Sequence, residues 1–263
     1  MQNLKDKSAL ITGASSGLGV DFANILAAAG CHLILVARRL ERMQQQQEKI
    51  QKQHGVRVEV IPIDLAVPDS PQVLYEKVKE VGMAIDILIN NAGVGIYGDF
   101  IDIPWDQEKN MLNLDIITLV HLTKLFLKGM VERNFGYVLN IASIGAYQPS
   151  PFYASYAAAK SFVLNFTEAL NYELRHTKVM VSALSPGVTA TEFLQTAGQQ
   201  KQTLFQKLTM MQSYSVAKIG LETMLKGKPS KIAGFGNAIS MFSFRFLPRR
   251  MTTFIAYNAM KGG

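Results

Sequence analysis

Apolar residues along this chain fall into two alternating kinds of run: short, nearly unbroken aliphatic stretches, and longer stretches in which apolar positions return every three or four residues. The short runs predict strands at Ser8–Thr12, His32–Ala37, Val56–Ile63, Ile85–Asn90, Tyr137–Ile141 and Val179–Leu184, with a last short strand about Lys231. Between them the helical period predicts helices from Gly17 to Ala29, stopped by Gly30, and over Pro71–Val81, Asp106–Arg133, Tyr153–His176 and Val216–Lys226. The polar stretch from Arg39 to His54 is glutamine-rich and reads as an exposed helix; the segment before Met211 reads as mixed. Strands separated by crossover helices imply an α/β fold: one doubly wound, Rossmann-type parallel sheet of about seven strands, flanked by helices on both faces. In such a sheet ligands lie at the carboxyl ends of the strands.

With 263 residues and 48% hydrophobic content, one domain spanning 1–263 is expected. The single Cys31 cannot form an internal disulfide, and no Cys/His spacing suits a metal, so no metal is expected and a reducing cytoplasm fits. The polar start, Met1 to Lys7, reaches a glycine loop by Gly13, too soon for an export signal. The uncharged stretch Ile232–Phe244 is shorter than the roughly 20 residues a membrane span needs.

Charge alters this picture only at one end. Residues 1–217 carry 19 basic and 19 acidic side chains, whereas 218–263 carry 8 basic ones and only Glu222, so the whole excess of +7 sits there. The apolar-basic extension 232–263 therefore reads as a solvated face or subunit contact, or else as a peripheral contact with anionic lipid. No groove-reading motif accompanies the charge, so no nucleic-acid partner is expected.

Candidate chemistry begins at Thr12-Gly13-Ala-Ser15-Ser16-Gly17-Leu18-Gly19, between the first strand and first helix, where backbone N–H groups and the helix dipole converge on a pyrophosphate position. The same residues match a G-x-S-x-G nucleophile elbow. That rival needs a catalytic histidine, and His32, His54, His121 and His176 are not in suitable contexts. At the end of the second strand, where an NAD site carries a carboxylate, the chain reads Val36-Ala37-Arg38-Arg39; two guanidiniums suit a 2′-phosphate and favour NADP(H). Alternatively Arg38 and Arg39 merely begin a solvated helix. Tyr156 and Lys160 are four apart on one helix, so a phenol and an ammonium share a face, with the cation expected to favour the phenolate. Ser143 lies just past a strand end, and Asn113 is a polar amide inside an apolar helix.

Together these residues resemble the short-chain dehydrogenases/reductases, from Leu10 to about Lys228. Thr12–Gly19 matches the family's cofactor loop, Asp64-Leu65 its adenine-side pair, and Asn90-Asn91-Ala92-Gly93 its strand-four motif. Asn113, Ser143, Tyr156 and Lys160 fall on its catalytic tetrad, and Pro186-Gly187-Val188-Thr189-Ala190-Thr191 on its nicotinamide-side segment. The resemblance implies that Tyr156 protonates a carbonyl oxygen oriented by Ser143. It also implies that Lys160 lowers the Tyr156 pKa and holds the ribose, while Asn113 positions a relay water. It further implies a small-molecule carbonyl or alcohol substrate and a homodimer or homotetramer. Phe193, Leu194, Leu204, Phe205, Leu208, Met210 and Met211, in or beside the substrate-covering segment 191–212, suggest an apolar ketone or aldehyde, unless they are core. The alternative is a non-enzymatic protein that senses a dinucleotide or binds membrane surfaces.

Overall fold

The computed structural model describes residues 4–199, 201, 203, 206 and 209–261. Its strands are β1 (Ser8–Thr12), β2 (His32–Ala37), β3 (Val58–Pro62), β4 (Ile87–Asn90), β5 (Gly136–Ile141), β6 (Val179–Ser185) and β7 (Ser230–Ile232). They form one sheet in the order β3-β2-β1-β4-β5-β6-β7, with every pairing parallel. The chain leaves β1 toward β2 on one side and returns to β4 on the other, so the order reverses between β1 and β4.

Alternation within the strands explains why their sequences read as continuous apolar runs: neighbouring side chains enter opposite cores, and both cores are covered by helices. Ile11, Leu35, Leu139 and Leu184 pack with Phe22 and Leu26 of α1 (Gly17–Ala28), Met43 of α2 (Leu40–His54) and Leu221 of the helix Ser213–Leu225. Leu10, Ile34, Leu88 and Val138 face the opposite way, onto Leu74 of α3 (Ser70–Val81) and onto Leu122 and Phe126. Cys31 is fully buried in the first core, and burial pushes its thiol up to about 12, which makes it a packing residue.

The predicted helix Asp106–Arg133 is interrupted. It runs as α4 (Trp105–Leu112), a π-helical turn (Asn113–Thr118) and α5 (Leu119–Glu132). A π turn widens the helix by one residue, rotates the positions it contains, and is a frequent mark of a functional site. After β5 follow a 3₁₀ turn (Ile144–Tyr147), α6 (Ala154–Glu173), the one-turn α7 (Phe193–Thr196) and α8 (Ser213–Leu225).

The extension after β7 is not a plain apolar-basic tail but two helices, α9 (Phe235–Phe244) and α10 (Arg249–Met260), with Pro248 at the start of the second. Gly234 and Gly236 around the first turn of α9 hid it from periodicity. Thr252 and Ala256 bury one side of α10, and the Tyr97 hydroxyl donates to the Met260 carbonyl at 2.8 Å. Among the described residues no helix is long and apolar enough to cross a membrane.

Candidate active site

The site starts where β1 and β4 part. Thr12 ties their ends together: its hydroxyl accepts from the Asn91 N–H at 3.0 Å and the Ala92 N–H at 2.9 Å, and donates to Ile89 O. The Asn91 amide donates back to Thr12 O at 2.9 Å and Gly13 O at 3.2 Å. Side chains are excluded from the space this leaves. A Cβ on Gly13, which sits at positive φ, would come within 2.8 Å of Asn91 Nδ2; one on Gly17 would meet Thr191, and one on Gly93 would lie 3.1 Å from Lys160 Nζ. Gly19 has another task, because its Cβ would collide with the Gly13 carbonyl; it lets α1 close onto the turn.

A cleft of about 620 Å³ opens from this turn, lined by Gly13, Ser15, Ser16, Gly17, Leu18, Arg38, Arg39, Asp64, Leu65, Asn91, Ala92 and Gly93, and farther along by Ser143, Tyr156, Lys160, Pro186, Gly187, Val188 and Thr191. A side-chain-free cradle at a helix N-terminus, continuing past two arginines, fits a phosphorylated dinucleotide. At its outer end, Arg39 donates to the Ser15 hydroxyl at 3.1 Å and to Glu192 at 2.9 Å, and Arg42 donates to the other Glu192 oxygen at 2.8 Å. First Arg42 and then Arg39 hold the Glu192 carboxyl below its ordinary range. Arg38 lies 3.7 Å from Asp64. Ser15 is therefore bonded to a guanidinium, and no histidine lines the cleft among the described residues, which removes the nucleophile-elbow reading.

At the inner end, β5 delivers Ser143, whose Oγ accepts from the Gly145 N–H at 3.1 Å. Helix α6 delivers Tyr156 and, one turn on, Lys160. The Tyr156 ring packs 5.4 Å from Phe193 and 5.8 Å from Tyr153. Lys160 is buried; its Nζ donates to Ile141 O at 3.1 Å and pairs with Asp115 Oδ2 at 2.9 Å. Asp115 is completely buried and its Oδ1 accepts from the Val94 N–H at 2.9 Å. Burial pushes the Asp115 carboxyl up against the opposing pull of Lys160. The Tyr156 phenol is held above its ordinary value by burial first and the Asp115 charge second, with the Ser143 hydrogen bond opposing them.

Asn113 lies in the π turn and is not among the residues lining the cleft; the side chain opposite Lys160 is Asp115, two positions on and so on a different helix face. Lys160 meets Asp115 and Ile141 O, with its Nζ 5.6 Å from the centre of the Tyr156 ring. Sequence periodicity contains the missed signal: Asp115 falls on the buried stripe Met111, Leu119, Leu122, Phe126, Met130, whereas Asn113 lies off it. Arg42 and Glu192 were also missed; Arg42 stands one helical turn after Arg39. Of the apolar residues singled out, Phe193 and Leu194 line the cleft, Met211 packs against the first core, and Met210 is half-buried. Leu204, Phe205 and Leu208 lie outside the described residues. Met260, from the end of α10, also lines the cleft.

A parallel sheet reversing beside a glycine turn, with Ser, Tyr and Lys gathered at its carboxyl edge, defines a dinucleotide-dependent oxidoreductase, and the short chain dehydrogenase family matches residues 7–202: the chain belongs to that family and is a dehydrogenase/reductase enzyme. It is 31% identical over 257 residues to 17-beta-hydroxysteroid dehydrogenase type 3 of Homo sapiens, covering 95% of this chain and 81% of that one. It is 35% identical over 191 residues to very-long-chain 3-oxoacyl-CoA reductase of Homo sapiens, covering 70% of this chain and 60% of that one. A solved short-chain dehydrogenase from Sphingobium yanoikuyae, in complex with NADPH, superposes with a TM-score of 0.83 at 28% identity, covering 91% of this chain and 92% of that one. The alternative of a fold without enzymatic activity falls away.

Proposed function

We propose that the protein reduces ketones carried on a bulky apolar body, with NADPH as the reductant. The observation that carries this reading is one continuous cleft with Ser15, Arg39 and Glu192, the last paired also with Arg42, at its outer end and Ser143 with Tyr156 at its inner end. Ile96, Met111, Leu114, Phe193, Leu194 and Met260 form an apolar wall beside the inner end. NADPH, when bound, supplies the hydride that adds to the carbonyl carbon. The Tyr156 hydroxyl gives its proton to the carbonyl oxygen, which the Ser143 hydroxyl holds, so C=O becomes C–OH. Lys160, fixed beside Gly93, is placed to hold the nicotinamide ribose. Arg39 and Arg42 would receive the 2′-phosphate in the position Glu192 now fills. The named activities of the two human relatives, on a steroid and on a long acyl chain, both fit such an apolar wall.

A steady-state panel tests this. Cyclic and long-chain ketones are expected to turn over with NADPH far better than small charged 2-oxo acids; the reverse order would refute the apolar substrate. Arg39→Ala should lower kcat/KM for NADPH by about tenfold or more, since it removes a charge-assisted hydrogen bond, and leave NADH little changed. Equal losses with both cofactors would remove the role given to the guanidinium.

We also propose that α9 and α10 rest on an anionic lipid surface. Phe242, Phe246 and Phe254 are exposed there beside the exposed Arg245, Arg249 and Arg250, and residues 232–263 contain no acid. A symmetric pairing of this face would set arginines against arginines, whereas anionic headgroups complement them. The protein should float with anionic vesicles and not with neutral ones. Phe242→Ser with Phe246→Ser should abolish flotation without changing ketone turnover, and unchanged flotation would end the proposal.

A further inference from the structure

The apolar wall beside Tyr156 is built from parts of unequal freedom. Phe193 is committed: its ring lies 5.4 Å from that of Tyr156, and it seats where Gly95 has no side chain, since a Cβ there would come within 2.7 Å of its Cζ. Met260 differs. It is the last residue of α10, it lines the same cleft as Tyr156 and Ser143, and it arrives from an element outside the sheet. Its backbone is pinned, because the Tyr97 hydroxyl donates to the Met260 carbonyl at 2.8 Å, whereas the thioether's polar contact among the described residues is a long one, 3.9 Å from the Gln206 amide. The anchor is itself supported. The Tyr97 ring lies 5.3 Å from Tyr153 and 5.6 Å from Phe152, and Phe152 stacks at 5.3 Å on Tyr257 of α10. Phe152 holds φ at +66°, a left-handed conformation rare for so bulky a side chain, and its carbonyl accepts from the Gly98 N–H at 3.0 Å. Strain of that kind persists where the surrounding contacts over-determine it, and it collects around ligand sites. Here it sets one ring against both Tyr97 and Tyr257, and so couples the turn before α6 to α10. The Tyr153 ring in turn lies 5.8 Å from Tyr156, so the path from Met260 to the Tyr156 phenol runs through the rings of Tyr97 and Tyr153.

We propose that Met260 is the specificity-determining residue of the substrate chamber: its side chain sets how much apolar bulk a ketone can carry on the side away from the reacting carbonyl, and Tyr97 is the positioning residue that holds it there. This rests on the ketone-reducing role given above. An unbranched thioether with three rotatable bonds shapes itself around apolar surfaces of different outline, so it bounds the chamber without matching one substrate. Discrimination then comes from volume: each methylene admitted or refused by an apolar pocket changes kcat/KM by roughly tenfold or more. The carbonyl that Tyr97 holds belongs to the last turn of α10, where no later helical N–H follows to bond it, so the hydroxyl takes the place of that missing partner. Without the hydroxyl, the end of α10 is free to turn Met260 out of the cleft.

The experiment measures kcat/KM with NADPH for a graded series of cyclic ketones, from cyclohexanone to a fused tetracyclic ketone, in the full chain and in substituted forms of it. The quantity read is the ratio of kcat/KM for the largest ketone to that for the smallest. Met260→Ala should raise this ratio by about tenfold or more, and Met260→Trp should lower it by about the same factor. Tyr97→Phe, which keeps the ring and removes only the hydroxyl, should move the ratio in the same direction as Met260→Ala. A purely structural role for α10 would lower the rates for all the ketones together and leave the ratio where it was. An unmoved ratio in the Met260 variants overturns the proposal, and so does a shift of both in one direction. Because the two substitutions act in opposite senses, either one decides the matter if circular dichroism shows the other unfolded. Tyr97→Phe with the wild-type ratio overturns the positioning role. Wild-type protein that reduces none of the ketones refutes the reading of the cleft itself, whereas wild-type turnover with an unmoved ratio in the variants refutes only the role of Met260.

Discussion

Tyr156→Phe is expected to lower ketone reduction by about 10³-fold while leaving NADPH binding largely intact, as read by steady-state kinetics and a fluorescence titration. The substitution keeps the ring against Phe193 and Tyr153 and removes only the hydroxyl that bonds to Ser143, so the lost rate reports proton donation and not packing. Because burial and Asp115 hold the phenol above its ordinary value, the wild-type reduction rate should be level through neutral pH and fall only on the alkaline side, where the donor ionises. A variant that keeps most of its turnover would assign the proton to another group.

Lys160→Met should be the most destabilising single change at the site. Methionine matches much of the lysine's length and fills its space, yet leaves Asp115 buried with no counter-charge, a loss of about 3–5 kcal/mol. The pH dependence has a definite sign. Burial already raises the folded-state pKa of Asp115 above its unfolded value, and removing Lys160 removes the main opposing influence. A carboxyl with a raised folded pKa contributes full stability below its unfolded pKa and loses it as pH rises through the folded one. The variant should therefore approach wild-type stability in acid and fall away toward neutral pH. Melting curves at several pH values check this, and a deficit that does not change with pH would mean that Asp115 is not left charged.

The layered fold was legible because the central strands are buried on both faces, which imposes unbroken apolar runs such as Leu33 to Val36, and because Gly30 marks a helix end. The glycine turn was legible because its glycines fall within seven residues of one another, between a strand and a helix. What stayed hidden depended on geometry that a regular helical period cannot express. Asp115 falls on the ordinary buried stripe of the helix, but a carboxylate among apolar positions gives no sign in the sequence that it meets Lys160, which comes from another helix. The outer anion site was half legible, since Arg38 and Arg39 announce themselves at the end of β2, but Glu192 comes from a segment some 150 positions away and only folding brings it to Arg42. The helices α9 and α10 were hidden for a local reason: glycines and a proline punctuate a segment whose apolar residues largely face outward.

Glu192 has a consequence for how the cleft fills. Its carboxylate sits on Arg39 and Arg42 while its neighbour Thr191 covers Gly17, so one short segment guards both the anion site and the glycine turn. On the reading proposed above, loading the cleft exchanges one anion for another. The number of ion pairs at equilibrium changes little, and affinity should depend on ionic strength less steeply than two exposed arginines would suggest. The entry rate carries the burden instead: added salt, by loosening the Glu192 clasp, hastens the opening on which arrival and departure alike depend.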